Sequence, residues 1–451
     1  ILCRRCSAVC SKIQGVDAIG PLGRGMDTVI GPAWGETMAE SPCVQCGQCT
    51  LVCPVGALYE RDYTNDVWKA LQDPTKHVVV QTAPATRVAI GEPFGLPPGS
   101  ISTGKMVAAL RSLGFDKVFD TDFTADLTIM EEGSELLQRI KEGGTLPLIT
   151  SCSPGWIKYM EEFYPDLADH VSTCKSPQQM FGALVKTYYA EKMGIDPANI
   201  VSVSIMPCTA KKFECQRPEM NASGYQDVDY ALTVRELARM IKEAGIDFKS
   251  LPEEEYDAPL GISTGAAVIF GATGGVMEAA LRTAYELYTG KTLEKIDFEP
   301  VRGLTGIKTA TVDANGTMLK VAVAHTLANA RVLLDKVRSG EEQYHFIEIM
   351  TCPGGCIGGG GQPIPTDTEI RQKRIDSIYE VDRDMPLRKS HENPAVQELY
   401  RTYLEKPLGH KSHHLLHTTY RWRSKHGTMV QKDDQGVWAL DKVAAPGGEP
   451  R

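Results

Sequence analysis

The sequence predicts an α/β protein, two lobes of mostly parallel sheet flanked by helices, preceded by a small α+β cysteine-rich module. Three observations carry this. Apolar runs at residues 77–83, 146–150, 200–206 and 346–350 lack the polar alternation of a half-exposed strand and read as strands covered on both faces. Helical patterns at 128–142, 177–193, 234–244, 276–288 and 326–337 alternate with them, as the crossovers of a parallel sheet require. Residues 1–75 are instead rich in Cys, Gly and Pro, with no long helical period.

The 451 residues are enough for several domains. The changes of texture divide them into 1–75, 76–390 and a tail, 391–451. A polar stretch (366–389) precedes the tail, which holds a short helix (395–405), a His-rich piece and a Gly/Pro-rich end. No internal repeat is visible beyond two cysteine clusters. Hydrophobic residues make up 42% and charged residues 23%, and net charge is −9. That balance argues against a nucleic-acid partner. No apolar run reaches the length of a membrane span. No signal peptide opens the chain, and Ile1 falls inside a motif, so the start reads as cut. The thirteen cysteines have metal-ligand spacing rather than a disulfide pattern, which predicts a reducing, cytoplasmic setting.

Cys43-x-x-Cys46-x-x-Cys49-x-x-x-Cys53-Pro54 is the cysteine run of bacterial ferredoxins. Three thiolates wrap one 4Fe–4S cubane and the fourth, before Pro, serves a second cubane. A partial copy lies upstream, Cys3-x-x-Cys6-x-x-x-Cys10. The pairing rule gives one cluster Cys10, Cys43, Cys46 and Cys49. The other takes Cys3, Cys6, Cys53 and a ligand that would precede Ile1. Residues 1–75 are thus expected to be a ferredoxin-like two-cubane domain. Such a module moves single electrons and needs a chemical centre to serve.

Three later loops each carry cysteine after a predicted strand: Thr150-Ser-Cys-Ser-Pro-Gly-Trp156, Met206-Pro-Cys-Thr-Ala-Lys-Lys-Phe-Glu214 and the stretch from Glu348 through Cys352, Cys356 and Gly358–Gly361 to Pro363. Strand carboxyl ends are where open α/β sheets bind ligands. In this order the loops resemble the signature loops of iron-only (FeFe) hydrogenases. The resemblance runs from residue 1 to about 420.

It implies an H-cluster, a 4Fe–4S cubane joined through a cysteine to a two-iron unit bearing carbon monoxide, cyanide and an azadithiolate. By motif position, Cys208, Cys352 and Cys356 ligate the cubane, and Cys356 is shared with the two-iron unit. Lys211, Met206 and Met350 line that unit, with Ala83, Pro84, Gln178 and Phe270 as further walls. An ammonium suits a bound cyanide, and thioethers fill space without charge. The implied proton path is Cys152, Glu132, Ser172 and Glu135; the two Glu lie three apart on one helix face.

One position departs from the family. Its first loop carries two adjacent cysteines, a proton relay and a cubane ligand, whereas this chain has Cys152 and Ser153. Ser153 ligates through oxygen, Cys152 takes over, or the cubane has three protein thiolates; the first is preferred because Cys152 has its own task. A hard alkoxide is a poor match for such iron.

The implied activity is reversible reduction of protons to dihydrogen. Its partners would be ferredoxin or a flavin-bearing NAD-linked subunit, together with maturation proteins. A low-turnover sensory hydrogenase and the hydrogenase-like iron–sulfur assembly protein of eukaryotes, which lacks the two-iron unit, are the alternatives. Cys174 and Cys215 fit no cluster and read as inert buried thiols. His410, His413, His414 and His417 read as surface packing in a tail (392–416) resembling the family's small subunit.

Overall fold

The computed structural model describes residues 1–293, 295–314, 316–423, 429–432 and 438–440. The Gly/Pro-rich end lies outside the described residues. In chain order the strands are β1 (Gly20–Leu22), β2 (Val29–Gly31), β3 (His77–Thr82), β4 (Lys117–Asp120), β5 (Leu148–Ile149), β6 (Ile200–Met206), β7 (Tyr230–Thr233), β8 (Ile307–Ala314), β9 (Thr317–His325) and β10 (Phe346–Met350), followed by a small antiparallel sheet of β11 (Trp422–Arg423), β12 (Met429–Lys432) and β13 (Trp438–Leu440). The helices that place the site are α1 (Thr121–Glu142), α2 (Pro154–Phe163), α3 (Ala210–Cys215), α4 (Thr368–Asp384) and α5 (His410–Leu416).

Two sheets form the two lobes. One has the order β4-β3-β6-β7 and is parallel throughout. The other has the order β5-β10-β9-β8; β5–β10 and β10–β9 are parallel, while β8–β9 is an antiparallel hairpin. Three of the four continuous apolar runs are central strands (β3, β6 and β10) and the fourth is the edge strand β5; residues 78–82 of β3 and all of β10 are buried, as strands covered on both faces must be. The hairpin was not expected. Its β8 alternates buried and exposed positions, the pattern of a half-solvated edge strand.

Helix α1 begins seven residues before the period suggests. Asp120 caps it by accepting from the Asp122 N–H. Its polar first turns face inward: the Arg87 guanidinium bonds Asp120 (2.9 Å) and Asp122 (2.8 Å) in the interior. Buried polar residues that find partners look, in sequence, like a solvated segment. The stretch 366–389 misleads in the same way. It contains α4, whose fully buried Arg374 pairs with Glu92 (2.6 Å) and donates to the Ile357 carbonyl (2.8 Å).

The front module is bolted to the loops leaving β6 and β10. Gln14 Nε2 donates to the Thr351 carbonyl (3.0 Å), Gln48 Nε2 to the Gly358 carbonyl (2.9 Å), and Thr209 Oγ1 to the Gln45 carbonyl (2.6 Å). The glycine run after Cys356 is the contact surface. A Cβ on Gly360 would run into the Cys46 carbonyl and the Gly47 backbone, and one on Gly359 into the Pro207 carbonyl.

Gly360→Ala should therefore destabilise the protein by ~1–3 kcal/mol through overpacking and lower the iron retained per chain. Gly133→Ala, at a helical position with open space around the added carbon, should cost nothing. Melting temperature and iron content of the two variants check this.

Candidate active site

The three loops meet at the strand ends and enclose one cavity of about 80 Å³. Cys152 and Ser153 come from the β5–α2 loop, Met206 from the end of β6, Cys208 from the β6–α3 loop, Lys211 from the first turn of α3, Met350 from the end of β10, and Cys352 and Cys356 from the stretch after it. Ala83 and Pro84 follow β3, and with Gln178 and Phe270 they complete the wall. Every residue expected to hold or line the H-cluster thus faces the same space.

The thiols are free and face one another. Burial, then the neighbouring thiols Cys208 and Cys356, push Cys352 far up; burial and Cys208 push Cys356 up to about 12. Cys208 is likewise raised by burial. Thiols so placed cannot all ionise unless a cation shares their charge. Iron in a cubane supplies that charge and takes thiolate ligands, so the donor set fits the cluster. Ser153 Oγ sits 2.8 Å from Thr351 Oγ1 and accepts from the Thr351 N–H (3.3 Å). It lines the cavity beside the thiols, and its oxygen is held by Thr351.

Lys211 enters from the opposite wall. Its Nζ donates to Glu214 Oε2 (2.9 Å) and to the Cys152 carbonyl (3.2 Å). Burial alone would lower its pKa, but Glu214 and the thiols Cys208 and Cys152 hold it above its ordinary value. An ammonium is therefore kept charged at a dry cavity. Glu214, which also accepts from Ser176 (2.8 Å) and Gln178 (2.9 Å), was missed from sequence; its i,i+3 spacing from Lys211 is the signal that could have found it.

Cys152 leads away from the cavity to Glu132, the group that, after burial, most raises its pKa. Glu132 is held up to about 8 by burial and by the neighbouring Glu135. Its Oε1 is buried with no partner among the described residues. Ser172 Oγ donates to Glu135 Oε2 (2.8 Å), and Arg139 Nη2 donates to Glu135 Oε1 (2.7 Å) near the surface. Arg139 was not foreseen, though it lies one turn beyond Glu135 on α1.

The front-end cysteines fall into two groups. Cys10, Cys43, Cys46 and Cys49 surround one hollow, and Cys3, Cys6 and Cys53 another. Cys46 is the link inward: after burial, the group that most raises its pKa is Cys352. Cys174 and Cys215 are buried away from both hollows and from the cavity. His417 corrects the surface reading of the His-rich piece. It is only 5% exposed, with Nδ1 2.8 Å from Thr173 Oγ1 and Nε2 3.1 Å from Glu131 Oε2. The alternating polar texture of the tail hid an apolar underside in which Leu415 and Leu416 are buried beside it.

Fold and site together define a multi-cluster iron–sulfur oxidoreductase. Residues 76–360 match the model of the iron-only hydrogenase large subunit, C-terminal domain; 368–423 match the iron hydrogenase small subunit, and 40–59 a 4Fe–4S binding domain. The chain is 55% identical over 432 residues to the NADP-reducing hydrogenase subunit HndD of Solidesulfovibrio fructosivorans, covering 94% of this chain and 74% of that one. It is 46% identical over 426 residues to iron hydrogenase 1 of Clostridium pasteurianum, covering 93% and 74%. A solved FeFe-hydrogenase, HydA(deltaEFG), superposes with a TM-score of 0.72 at 49% identity, over 80% of this chain and 99% of that one. The chain belongs to the iron-only hydrogenase family, with its 4Fe–4S clusters and H-cluster. Among the described residues no helix is long and apolar enough to cross a membrane.

The position of Glu132 has a consequence for stability. Its folded pKa of about 8 lies above the ordinary value, so between about pH 4.5 and 8 the folded chain holds a proton that the unfolded chain releases. Stability from this group therefore falls as pH rises through that window. Melting temperature should drop more between pH 5.5 and 8.5 in the parent than in Glu132→Gln, and a protonated-carboxyl infrared band absent from that variant should titrate near pH 8.

Proposed function

We propose that the chain catalyses the reversible reduction of protons to dihydrogen, with residue roles that follow the geometry of the cavity. The observation that carries this is the convergence of all three loops, with Lys211, on one enclosed space. Cys208, Cys352 and Cys356 would hold the cubane, with Cys356 the thiolate that would be shared with the two-iron unit and the Ser153 oxygen the fourth ligand. Met206, Met350, Ala83, Pro84, Gln178 and Phe270 would wall off the two-iron side from water, and the Lys211 ammonium would be placed to donate to cyanide there. When bound, the two-iron unit supplies the site where two protons and two electrons combine. The assembly-protein reading leaves the half of the cavity beside Lys211 without an occupant.

Protons travel by Glu135, Ser172, Glu132 and Cys152. Ser172 gives a proton to one carboxylate while taking one from the other, and the unpartnered Glu132 Oε1 is free to turn toward the Cys152 thiol, which delivers the proton at its sulfur. Cys3, Cys6 and Cys53 would hold an outer cubane and Cys10, Cys43, Cys46 and Cys49 an inner one, groups that would supply single-electron transfer toward the cavity, on whose side Cys46 neighbours Cys352. The relative that reduces NADP supports a pyridine-nucleotide-linked flavin subunit as donor, with ferredoxin as the other electron partner, and maturation proteins deliver the two-iron unit. A reducing, cytoplasmic and anaerobic setting suits thirteen cysteines with no disulfide among the described residues.

Glu132→Ala should nearly abolish turnover with the clusters spectroscopically unchanged, since a relay acts in rate alone; retention of most activity removes Glu132 from the path. The Ser153 assignment is tested by three variants. Ser153→Cys should assemble the cluster with a shifted potential, because ligand identity tunes it. Ser153→Ala should lose cubane iron, and Cys152→Ala should keep iron while turnover collapses. A full cubane with unchanged potential in Ser153→Ala sinks the oxygen-ligand assignment.

A further inference from the structure

The seam between the front module and the glycine run holds a buried polar side chain that the mechanism above leaves unused. Gln48 lies between Cys46 and Cys49 in sequence, is 3% exposed and lines the hollow that those thiols surround. Its amide crosses the seam, where Nε2 donates to the Gly358 carbonyl at 2.9 Å. A carbonyl only accepts, so the amide must present its nitrogen, not its oxygen, to the glycine run. That nitrogen carries two hydrogens, and the Gly358 carbonyl takes one.

Cys352 lies beside the same amide. Burial and the thiols Cys208 and Cys356 push the Cys352 thiol up; the Gln48 side chain is the group that most opposes them, followed by the Gly360 N–H. On the other side of the seam, burial and Cys352 push Cys46 up, and the main-chain N–H of Gln48 opposes them. The two sulfurs face each other where the backbones are closest: a Cβ on Gly360 would strike the Cys46 carbonyl. One residue thus serves a cysteine from each cluster-binding set.

We propose that Gln48 is a positioning residue for electron delivery, its side-chain amide donating to the Cys352 sulfur and its main-chain N–H to the Cys46 sulfur, so that it holds the two ligands in register and raises the potential of the cubane in the cavity. This rests on the cluster assignments proposed above. Reduction of a cubane adds negative charge that its thiolates share. A donor to sulfur strengthens as that charge grows, and hydrogen bonds to the sulfurs are among the factors that set a cubane's potential. An amide does this without changing the net charge of the site, as a Lys or Arg there would.

Gln48→Met keeps an unbranched side chain of similar length and has no donor. In the matured holoenzyme the potential of the cavity cubane should shift negative in this variant. That of the inner accessory cubane should move less, because its bond comes from the main chain. Thr50→Val removes a hydroxyl on the same seam, one that donates to the Gly47 carbonyl at 2.8 Å, and should shift neither potential. A further measurement needs no variant to fold. With isotopically labelled glutamine side-chain nitrogen, the paramagnetic cavity cubane of the parent should show a nitrogen coupling by pulsed electron paramagnetic resonance, and Gln48→Met should lose it. An unchanged potential in Gln48→Met, an equal shift in Thr50→Val, no nitrogen coupling in the labelled parent, or a coupling that persists in Gln48→Met each overturns the assignment. A parent lacking the cavity cubane's own signals would instead overturn the underlying cluster assignments, so the two failures are distinguishable.

Discussion

The structure depends on one constraint: several thiolates must share a dry interior. Burial raises every thiol facing the cavity, and each raises its neighbours. Charge from iron resolves this for the cluster ligands, and the protein's remaining task is to bring the ligands to one point. The ends of β5 and β10 in one sheet and of β6 in the other do that. The strands are buried and rigid, and the loops that leave them meet across the gap between two sheets. The glycine run 358–361 follows from the same constraint, since the front module must come close enough for Cys46 to oppose Cys352. Side chains there would separate electron carriers that need to be near.

The proton side obeys the opposite logic. Carboxyls on α1 lie inside the protein without a countercharge at Glu132, whose burial keeps it neutral near pH 7. A neutral acid between a thiol and a hydroxyl can both give and receive a proton. Beyond Ser172, Glu135 pairs with Arg139, and on the other flank His417 is held by Glu131. The tail supplies the second flank. Tyr420 also donates to the Ser172 carbonyl (2.5 Å), so the small-subunit segment walls the relay as well as packing on it.

Much of this was legible in the sequence because it rests on spacing. The cysteine runs separate into the two groups that the pairing rule assigns, and the buried central strands are the long apolar runs. What escaped notice was polar and inward-facing. The first turns of α1, the helix α4 with Arg374 and the ring of His417 all carry residues that composition places outside; only their partners, Arg87, Glu92 and Glu131, come from distant sequence and reveal them as interior. In the β8–β9 hairpin the edge strand β8 lacks an apolar run, and the central strand β9, whose buried half follows a half-exposed start and leads straight into a helical pattern, was missed with it. Ser153 remains a residue whose neighbour in space, Thr351, lies 198 positions away.

The account's central claim is that this cavity holds a two-iron unit beside a cubane. Infrared spectroscopy of the matured protein tests it most directly, because iron-bound carbon monoxide and cyanide absorb where no protein group does. The account predicts both sets of bands, together with accessory cubane signals in the same sample. Intact cubanes with no carbon monoxide or cyanide bands in matured protein would contradict it.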